Sequence, residues 1–225
     1  MKIVAIKHKI TENNNADKYF KKLEEAVKLH PDIIVGPDYG ITSFNPDRKI
    51  DFSDRSNYEL NLARISSYSP KTLIVPGTWP VLVGDFGMGH AAPIYRGGIQ
   101  IANFFKQTNV ENLNLAKNNN LVWKRGKYDE NQIMHQGKKI AIEICSDHGK
   151  QPVNKDTFLE LILARDTNAG FYVNATNDDF ARYAIVNDSY KPMIDGFIYN
   201  PQSNHKMSFL PEQKLNSFLT QFTLK

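Results

Sequence analysis

The chain has 225 residues, 41% of them hydrophobic and 23% charged, which is enough to bury the core of one domain over residues 1–225. Its single cysteine excludes an intramolecular disulfide and every Cys-rich zinc site, and no apolar run reaches the length of a membrane span. The net charge of +4 comes from scattered lysines, which argues against the basic stripe of a nucleic-acid-binding surface.

The first half of the chain alternates strand and helix patterns. In chain order the apolar periodicity predicts a strand over 2–10, a helix over 14–30, a strand over 32–35, a helix over 58–68, a strand over 72–76, and a hairpin of 91–95 and 100–105. The tight turn of this hairpin is Arg96-Gly97-Gly98.

The second half begins with a polar, Asn-rich stretch over 108–136, for which we expect a long functional loop. A strand over 139–145, a helix over 155–166, a strand over 170–174 and short β segments within 184–209 follow. Alternating strands and helices indicate the α/β class, and the hairpins indicate mixed sheets.

Cys145 lies where the apolar run Ile140-Ala-Ile-Glu-Ile144 ends and a turn begins. A thiol at the end of a strand that opens into a helix is placed like a nucleophile, because the helix N-terminus favours the thiolate. The alternative is a structural role, since cysteine is among the most buried residue types.

Five short motifs follow one another along the chain. They are Ile33-Ile-Val-Gly-Pro37 with Asp38, Ile74-Val-Pro-Gly-Thr78, Ile101-Ala-Asn-Phe-Phe-Lys106, Ile144-Cys-Ser-Asp147 and Ala169-Gly-Phe-Tyr-Val-Asn174. The set resembles the carbon–nitrogen hydrolase family, the nitrilase superfamily, from residue 2 to about 177 and more loosely to 202. The resemblance implies a nitrilase-like α-β-β-α sandwich with mixed sheets and a carboxylate-Lys-Cys triad.

By this resemblance Asp38 is the general base, Lys106 the oxyanion partner and Cys145 the nucleophile. The implied reaction is amidase-type hydrolysis of a non-peptide C–N bond in a small carboxamide or nitrile, through a cysteine thioester and without a metal or organic cofactor. A weak electrophile of this kind needs thiolate attack coupled to proton delivery onto the departing nitrogen. Alternatively, Asp38 is an ordinary turn residue and Lys106 a surface lysine.

Departures from the family motivate a second hypothesis. Asp38 replaces the glutamate of the family and shortens the carboxylate by one methylene. The alternative function is therefore a catalytically impaired protein of the same fold, acting as a binding or interaction module. Residues Glu111, Ser146, His148 and Asn174 are the expected substrate-binding positions, with Glu111 either orienting Lys106 or exposed on a loop.

The resemblance also predicts that one C-terminal helix is missing between 177 and 184. Because such helices contribute to dimer contacts, we expect a monomer, or an atypical homodimer through the helix after Cys145, with Phe158, Leu161 and Ile162 as exposed contacts. The Lys- and Asn-rich composition of the chain predicts a cytoplasmic protein with no nucleic-acid or membrane partner, although non-classical secretion stays open. The pI near 9.0 leaves a nucleic-acid-binding domain as a third hypothesis.

Six dispersed histidines, among them His90, lack the spacing of a zinc site, and we expect them on the surface or in loops. The Gly-rich stretch that ends at His90 precedes no predicted helix, so it is not a phosphate cradle. For Trp79 and Trp123, core or rim packing is the expected role.

Overall fold

The computed structural model describes residues 1–9, 16–42, 54–107, 112–125, 131–147, 156–164, 181–189, 193–199 and 207–225. Within these ranges the helices are α1 Ala16–Val27, α2 Arg55–Ser67 and α3 Asn112–Asn118. The strands are β1 Lys2–Ile6, β2 Ile33–Val35, β3 Leu73–Val75, β4 Trp79–Val83, β5 Gly87–Arg96, β6 Ile99–Phe105, β7 Val122–Trp123, β8 Gln132–His135, β9 Lys138–Ile144, β10 Leu159–Ala164, β11 Tyr183–Asp188, β12 Met193–Tyr199, β13 Met207–Phe209, β14 Glu212–Lys214 and β15 Leu219–Thr223.

The described strands form two mixed sheets. The first sheet has the order β14-β15-β1-β2-β3-β5-β4, and β6 and β7 also pair with β5. The second sheet has the order β13-β12-β11-β10-β9-β8. Parallel pairing joins β1, β2 and β3 in the first sheet and β9, β10 and β11 in the second. The carboxyl ends of three parallel strands therefore meet at one edge of each sheet.

The core is divided by the first sheet. Its strands alternate, so that Ile3 faces the second sheet while Val4 faces the helices. On the helical side, fully buried side chains of α1 and α2 such as Leu23 and Ile65 complete one cluster. On the other side, side chains of β9 and β10 such as Ile142 interdigitate with the first sheet. Each such aliphatic side chain stabilises the fold by about 1.5–3 kcal/mol relative to exposure.

Asn187, near the end of β11, connects the two sheets. Its Nδ2 donates hydrogen bonds of 3.1 Å to the carbonyl oxygens of Ile6 and Val35, which are the last residues of β1 and β2. The carboxyl ends of the parallel strands in both sheets therefore lie at the same end of the sandwich. This arrangement brings the loops that follow β2 and β9 to one place.

The predicted helix over 155–166 is wrong, because residues 159–164 form strand β10 between β9 and β11. All six residues of β10 are buried, and an apolar run buried on both faces has no strand periodicity to distinguish it from a helix. The predicted exposed contact for a homodimer is wrong for the same reason, since it was placed on that helix. Leu161 and Ile162 lie in the interior, and Phe158 is half-buried beneath the ammonium of Lys138, 3.5 Å from the ring centroid.

The predicted long loop over 108–136 is wrong in part, because it contains α3, β7 and β8. Leu115 and Ala116 of α3 pack on Met88 of β5 and form a small apolar cluster there. The predicted strand over 170–174 lies outside the described residues. Residues 165–180 lie outside the described ranges, so the expected missing helix between 177 and 184 stays a prediction.

The other predicted elements are confirmed with bounds that differ by a few residues: β1, α1, β2, α2, β3, the β5–β6 hairpin, β9 and the short strands β11, β12 and β13. Trp79 is a core residue, as expected. No helix in the described ranges is both long enough and apolar enough to cross a membrane.

Candidate active site

The three predicted catalytic residues follow the ends of three strands. Asp38 lies in the turn after β2, Lys106 directly follows β6, and Cys145 directly follows β9. All three are buried, with exposed fractions of 1%, 2% and 7%. The expectation that Lys106 might be an ordinary surface lysine is thereby excluded, because its side chain is in the interior.

One carboxylate oxygen of Asp38 is held by two other side chains. The hydroxyl of Thr78 donates a hydrogen bond to Oδ1, and Nε2 of His90 lies 3.1 Å from the same oxygen. Thr78 Oγ1 and His90 Nε2 are themselves 2.5 Å apart, so the three polar atoms form a closed triangle. The backbone N–H of Tyr39 also donates to Thr78 Oγ1, at 2.9 Å.

His90 is not a surface or loop residue, contrary to the expectation from its sequence context. It lies within β5, is 1% exposed and contacts the ring of Tyr39, with 4.3 Å between the centroids. The register between β4 and β5 places His90 opposite Pro80, next to the turn that carries Thr78. Strand β5, which pairs with β3, β4, β6 and β7 in the first sheet, therefore carries a polar side chain into the site.

The second carboxylate oxygen of Asp38, Oδ2, is buried and accepts no hydrogen bond from any described residue. A buried acceptor of this kind costs about 1–3 kcal/mol when it has no partner. Such a cost is tolerated where the oxygen has a functional partner. Oδ2 is therefore the oxygen of Asp38 to which no described residue donates a hydrogen bond.

The charges around Asp38 favour its ionised form. Burial on its own raises the pKa of Asp38, but the interaction with His90, the positive charge of Lys106 and the hydrogen bond from Thr78 outweigh burial, and the net pKa lies below its usual value. For His90, burial is the largest effect and lowers the pKa; Asp38 beside it acts in the opposite direction but does not outweigh burial, and the net pKa lies below its usual value. At neutral pH the pair thus consists of an aspartate anion and a neutral imidazole.

Lys106 is fixed through its backbone and not through its ammonium. Its N–H donates a 2.7 Å hydrogen bond to the carbonyl oxygen of His90, which belongs to the β5–β6 pairing. Within the described residues the ammonium has no hydrogen bond or ion pair, although its charge acts on both Asp38 and His90. A buried ammonium without a close counter-ion is costly unless a ligand or reaction uses it.

Cys145 begins a single 3-10 turn, Cys145–Asp147, at the end of β9. Its backbone has a φ of 53°, in the left-handed region that L-residues other than Asn and Asp rarely adopt. The turn is fastened to the segment that follows β6 of the first sheet, because Oδ2 of Asp147 accepts a 2.9 Å hydrogen bond from the N–H of Gln107. Backbone strain held by the surrounding structure is a recurring feature of functional sites.

The turns that carry Asp38 and Thr78 are packed closely against each other. Gly77 has a φ of 101°, and a Cβ there would lie 2.2 Å from the carbonyl oxygen of Pro37. The hydroxyl of Tyr19 donates a 2.6 Å hydrogen bond to the carbonyl oxygen of Pro76 and so ties the turn to α1. The Pro76-Gly77 pair in the sequence is therefore what lets Thr78 reach Asp38.

The structure leaves the predicted substrate-binding positions untested. Glu111, His148 and Asn174 lie outside the described residues, and for Ser146 only the backbone is described. Sequence reasoning missed three residues of the site: Thr78, His90 and Asp147. Thr78 and Asp147 each end one of the five motifs, which was an available signal, whereas nothing in the sequence around His90 indicates its role.

Solved structures with the same fold are amidases from Nesterenkonia. A variant of the Nesterenkonia AN1 amidase from the nitrilase superfamily has a TM-score of 0.74 at 12% identity, over 100% of this chain and 90% of that chain. A variant showing Michael addition of acrylamide at its active-site cysteine has a TM-score of 0.73 at 11% identity, over 100% and 93%. A variant in complex with butyramide has a TM-score of 0.74 at 12% identity, over 100% and 90%.

No family model matches the chain, and no curated protein matches its sequence. The likeness lies in the fold, and it extends over the whole of this chain. The protein thus has the fold of the nitrilase superfamily, in a form that is strongly divergent in sequence.

Proposed function

We propose that the protein is an amidase that hydrolyses a small carboxamide through a thioester on Cys145. The observation that carries this proposal is the buried charge pattern. Asp38 Oδ2 and the Lys106 ammonium have no hydrogen-bond partner among the described residues, and the two groups lie within electrostatic reach of each other. The nitrilase-superfamily fold and the amidase activity named for its structural neighbours support the same reaction class.

In the first half of the proposed reaction, Oδ2 of Asp38 takes the proton of the Cys145 thiol, and the sulfur attacks the carbonyl carbon of the amide. The carbonyl oxygen becomes an oxyanion, which the ammonium of Lys106 and the backbone N–H of Ser146 stabilise. The C–N bond then breaks, and the leaving nitrogen takes the proton from Asp38, so that ammonia departs and a thioester remains.

In the second half, a water molecule gives a proton to Asp38 and attacks the thioester carbon. The C–S bond breaks, the carboxylic acid leaves, and the proton returns from Asp38 to the Cys145 sulfur. These steps balance with the residues named, the amide and one water molecule.

One observation favours the alternative of a catalytically impaired binding module. The lowered pKa of Asp38 makes the carboxylate a weak base, and a weak base gives less driving force for proton transfer from a thiol. In that case the pocket would bind amides without cleaving them. The two functions share the same ligand class and differ only in whether ammonia is released.

The test is ammonia release from a panel of small amides that includes butyramide and acrylamide, with binding measured in parallel by calorimetry. Release by the wild type and none by Cys145→Ala supports the amidase. Binding without release supports the impaired module. Neither binding nor release over the whole panel contradicts both proposals.

A further inference from the structure

Oδ1 of Asp38 accepts a hydrogen bond from Thr78 and lies 3.1 Å from Nε2 of His90, while Oδ2 accepts none from any described residue. Both side chains come from outside the turn that carries Asp38: Thr78 follows β3, and His90 lies within β5. The aspartate head is therefore oriented by two neighbouring elements of the sheet. We propose that His90, together with Thr78, is the positioning residue of this site and turns Oδ2 towards the Cys145 thiol.

This inference rests on the proposed function and explains how Asp38, whose side chain is one methylene shorter than glutamate, can act as the general base of the proposed reaction. An aspartate head can rotate about its χ2 bond, which would exchange Oδ1 and Oδ2 and displace the proton acceptor. Two donors on one oxygen remove that freedom. Because a misplacement of about 1 Å can cost about 10²-fold in rate, loss of the anchor should be visible in kcat.

His90 is well suited to this role because it is itself fixed. The ring is buried, lies 4.3 Å from the ring of Tyr39 and belongs to a strand that pairs on both sides. Nε2 of His90 lies 3.1 Å from Asp38 Oδ1 and 2.5 Å from Thr78 Oγ1, so the neutral imidazole with its proton on Nε2 donates to this pair of oxygens. The Thr78 hydroxyl donates to Oδ1, so both side chains act on the same carboxylate oxygen.

The experiment compares His90→Leu, which removes the donor, with His90→Gln, whose Nε2 can occupy the same place. His135→Gln is the matched control. His135 is another buried histidine, but its Nε2 contacts the carbonyl oxygen of Asp32, which precedes β2, whereas Asp38 follows that strand. Two quantities are measured in each variant: kcat and KM for amide hydrolysis, and the titration of the Asp38 carboxyl by carbon-13 NMR.

We expect His90→Leu to lower kcat about 10²-fold with KM within about twofold, and to raise the pKa of Asp38. His90→Gln should keep most of both properties, and His135→Gln should resemble the wild type. Two results would overturn the proposal: an unchanged Asp38 titration in His90→Leu, or equal damage from Gln and Leu. If the wild type hydrolyses no amide, the proposed function fails, and the NMR titration still decides whether His90 anchors Asp38.

Discussion

The N–H of Gln107 donates a 2.9 Å hydrogen bond to Oδ2 of Asp147, and this contact joins the two segments that carry Lys106 and Cys145. Gln107 directly follows Lys106, and Asp147 ends the 3-10 turn that Cys145 begins. Both partners are buried. The turn that begins at Cys145, after β9 of the second sheet, is thus fastened to the end of β6 in the first sheet.

Replacing Asp147 with Ala should therefore loosen the Cys145 turn and lower both stability and activity. The lost acceptor leaves the Gln107 N–H buried without this partner, which costs about 1–3 kcal/mol in the free energy of unfolding. Urea denaturation and amide hydrolysis measure the two effects. Asp147→Asn keeps an acceptor oxygen and should be milder, and Asp156→Asn, at an exposed carboxylate bound to Lys139, should leave activity unchanged. Full activity in Asp147→Ala would mean that the contact does not hold the turn.

At Asp38, Asn should abolish the base while keeping the volume of the side chain. We expect kcat to fall about 10²–10⁴-fold, the usual contribution of general acid–base catalysis, in a protein that remains folded. The measurement is steady-state hydrolysis together with circular dichroism. An Asp38→Asn variant with wild-type kcat would remove Asp38 from the mechanism.

Asp38→Glu should also reduce activity, although glutamate is the residue that the family resemblance implies. Oδ1 already contacts Thr78 and His90, so one more methylene drives the carboxylate into them, and overpacking of a buried site costs about 1–3 kcal/mol. Thermal denaturation and kcat are measured together. A glutamate variant more active than the wild type would show that the site has not closed around the shorter side chain.

His90 should make the protein less stable as the pH falls from 7 towards 5. Its pKa is lowered in the folded protein, so the unfolded chain binds a proton first, and the free energy of unfolding declines once the pH drops below about 6.5, the ordinary histidine value. His90→Gln cannot bind that proton and should show a flatter profile over this range. Urea denaturation at a series of pH values tests this, and parallel profiles for the two proteins would contradict it.

Cys145, as the only cysteine, allows its reactivity to be measured without interference. An activated nucleophile should react with iodoacetamide near neutral pH faster than the same thiol in the urea-unfolded chain. The rate is followed by intact mass, and Cys145→Ser is the blank. Labelling that occurs only after unfolding would indicate a structural cysteine.

Sequence patterns predicted those parts of the fold in which local periodicity and burial agree. Helix α1 has one apolar face, and β2 and β3 are short apolar runs next to Pro-Gly turns, so each was recognisable. Strand β10 was mistaken for a helix because burial on both faces removes the alternation that identifies a strand. Its identity is set by pairing with β9 and β11, which are distant in sequence.

The candidate site, like the fold, is predictable from the sequence only in part. The family resemblance of the motifs that precede Asp38, Lys106 and Cys145 predicts them as site residues; the structure places each of them after a strand, and their catalytic roles stay a prediction. His90 was not predicted, because its contact with Asp38 joins residues that are far apart in the chain and depends on the register of β4 against β5. A hydrogen bond that is created by sheet register leaves no local pattern in the sequence.

The most direct test of the account is whether hydrolysis passes through an acyl group on Cys145. Hydroxylamine competes with water for a thioester, so adding it during butyramide hydrolysis should divert product from butyrate to butyryl hydroxamate. The account predicts hydroxamate in proportion to hydroxylamine for the wild type and none for Cys145→Ala. Ammonia release with butyrate as the only product at every hydroxylamine concentration, or equal hydroxamate from the alanine variant, would contradict it.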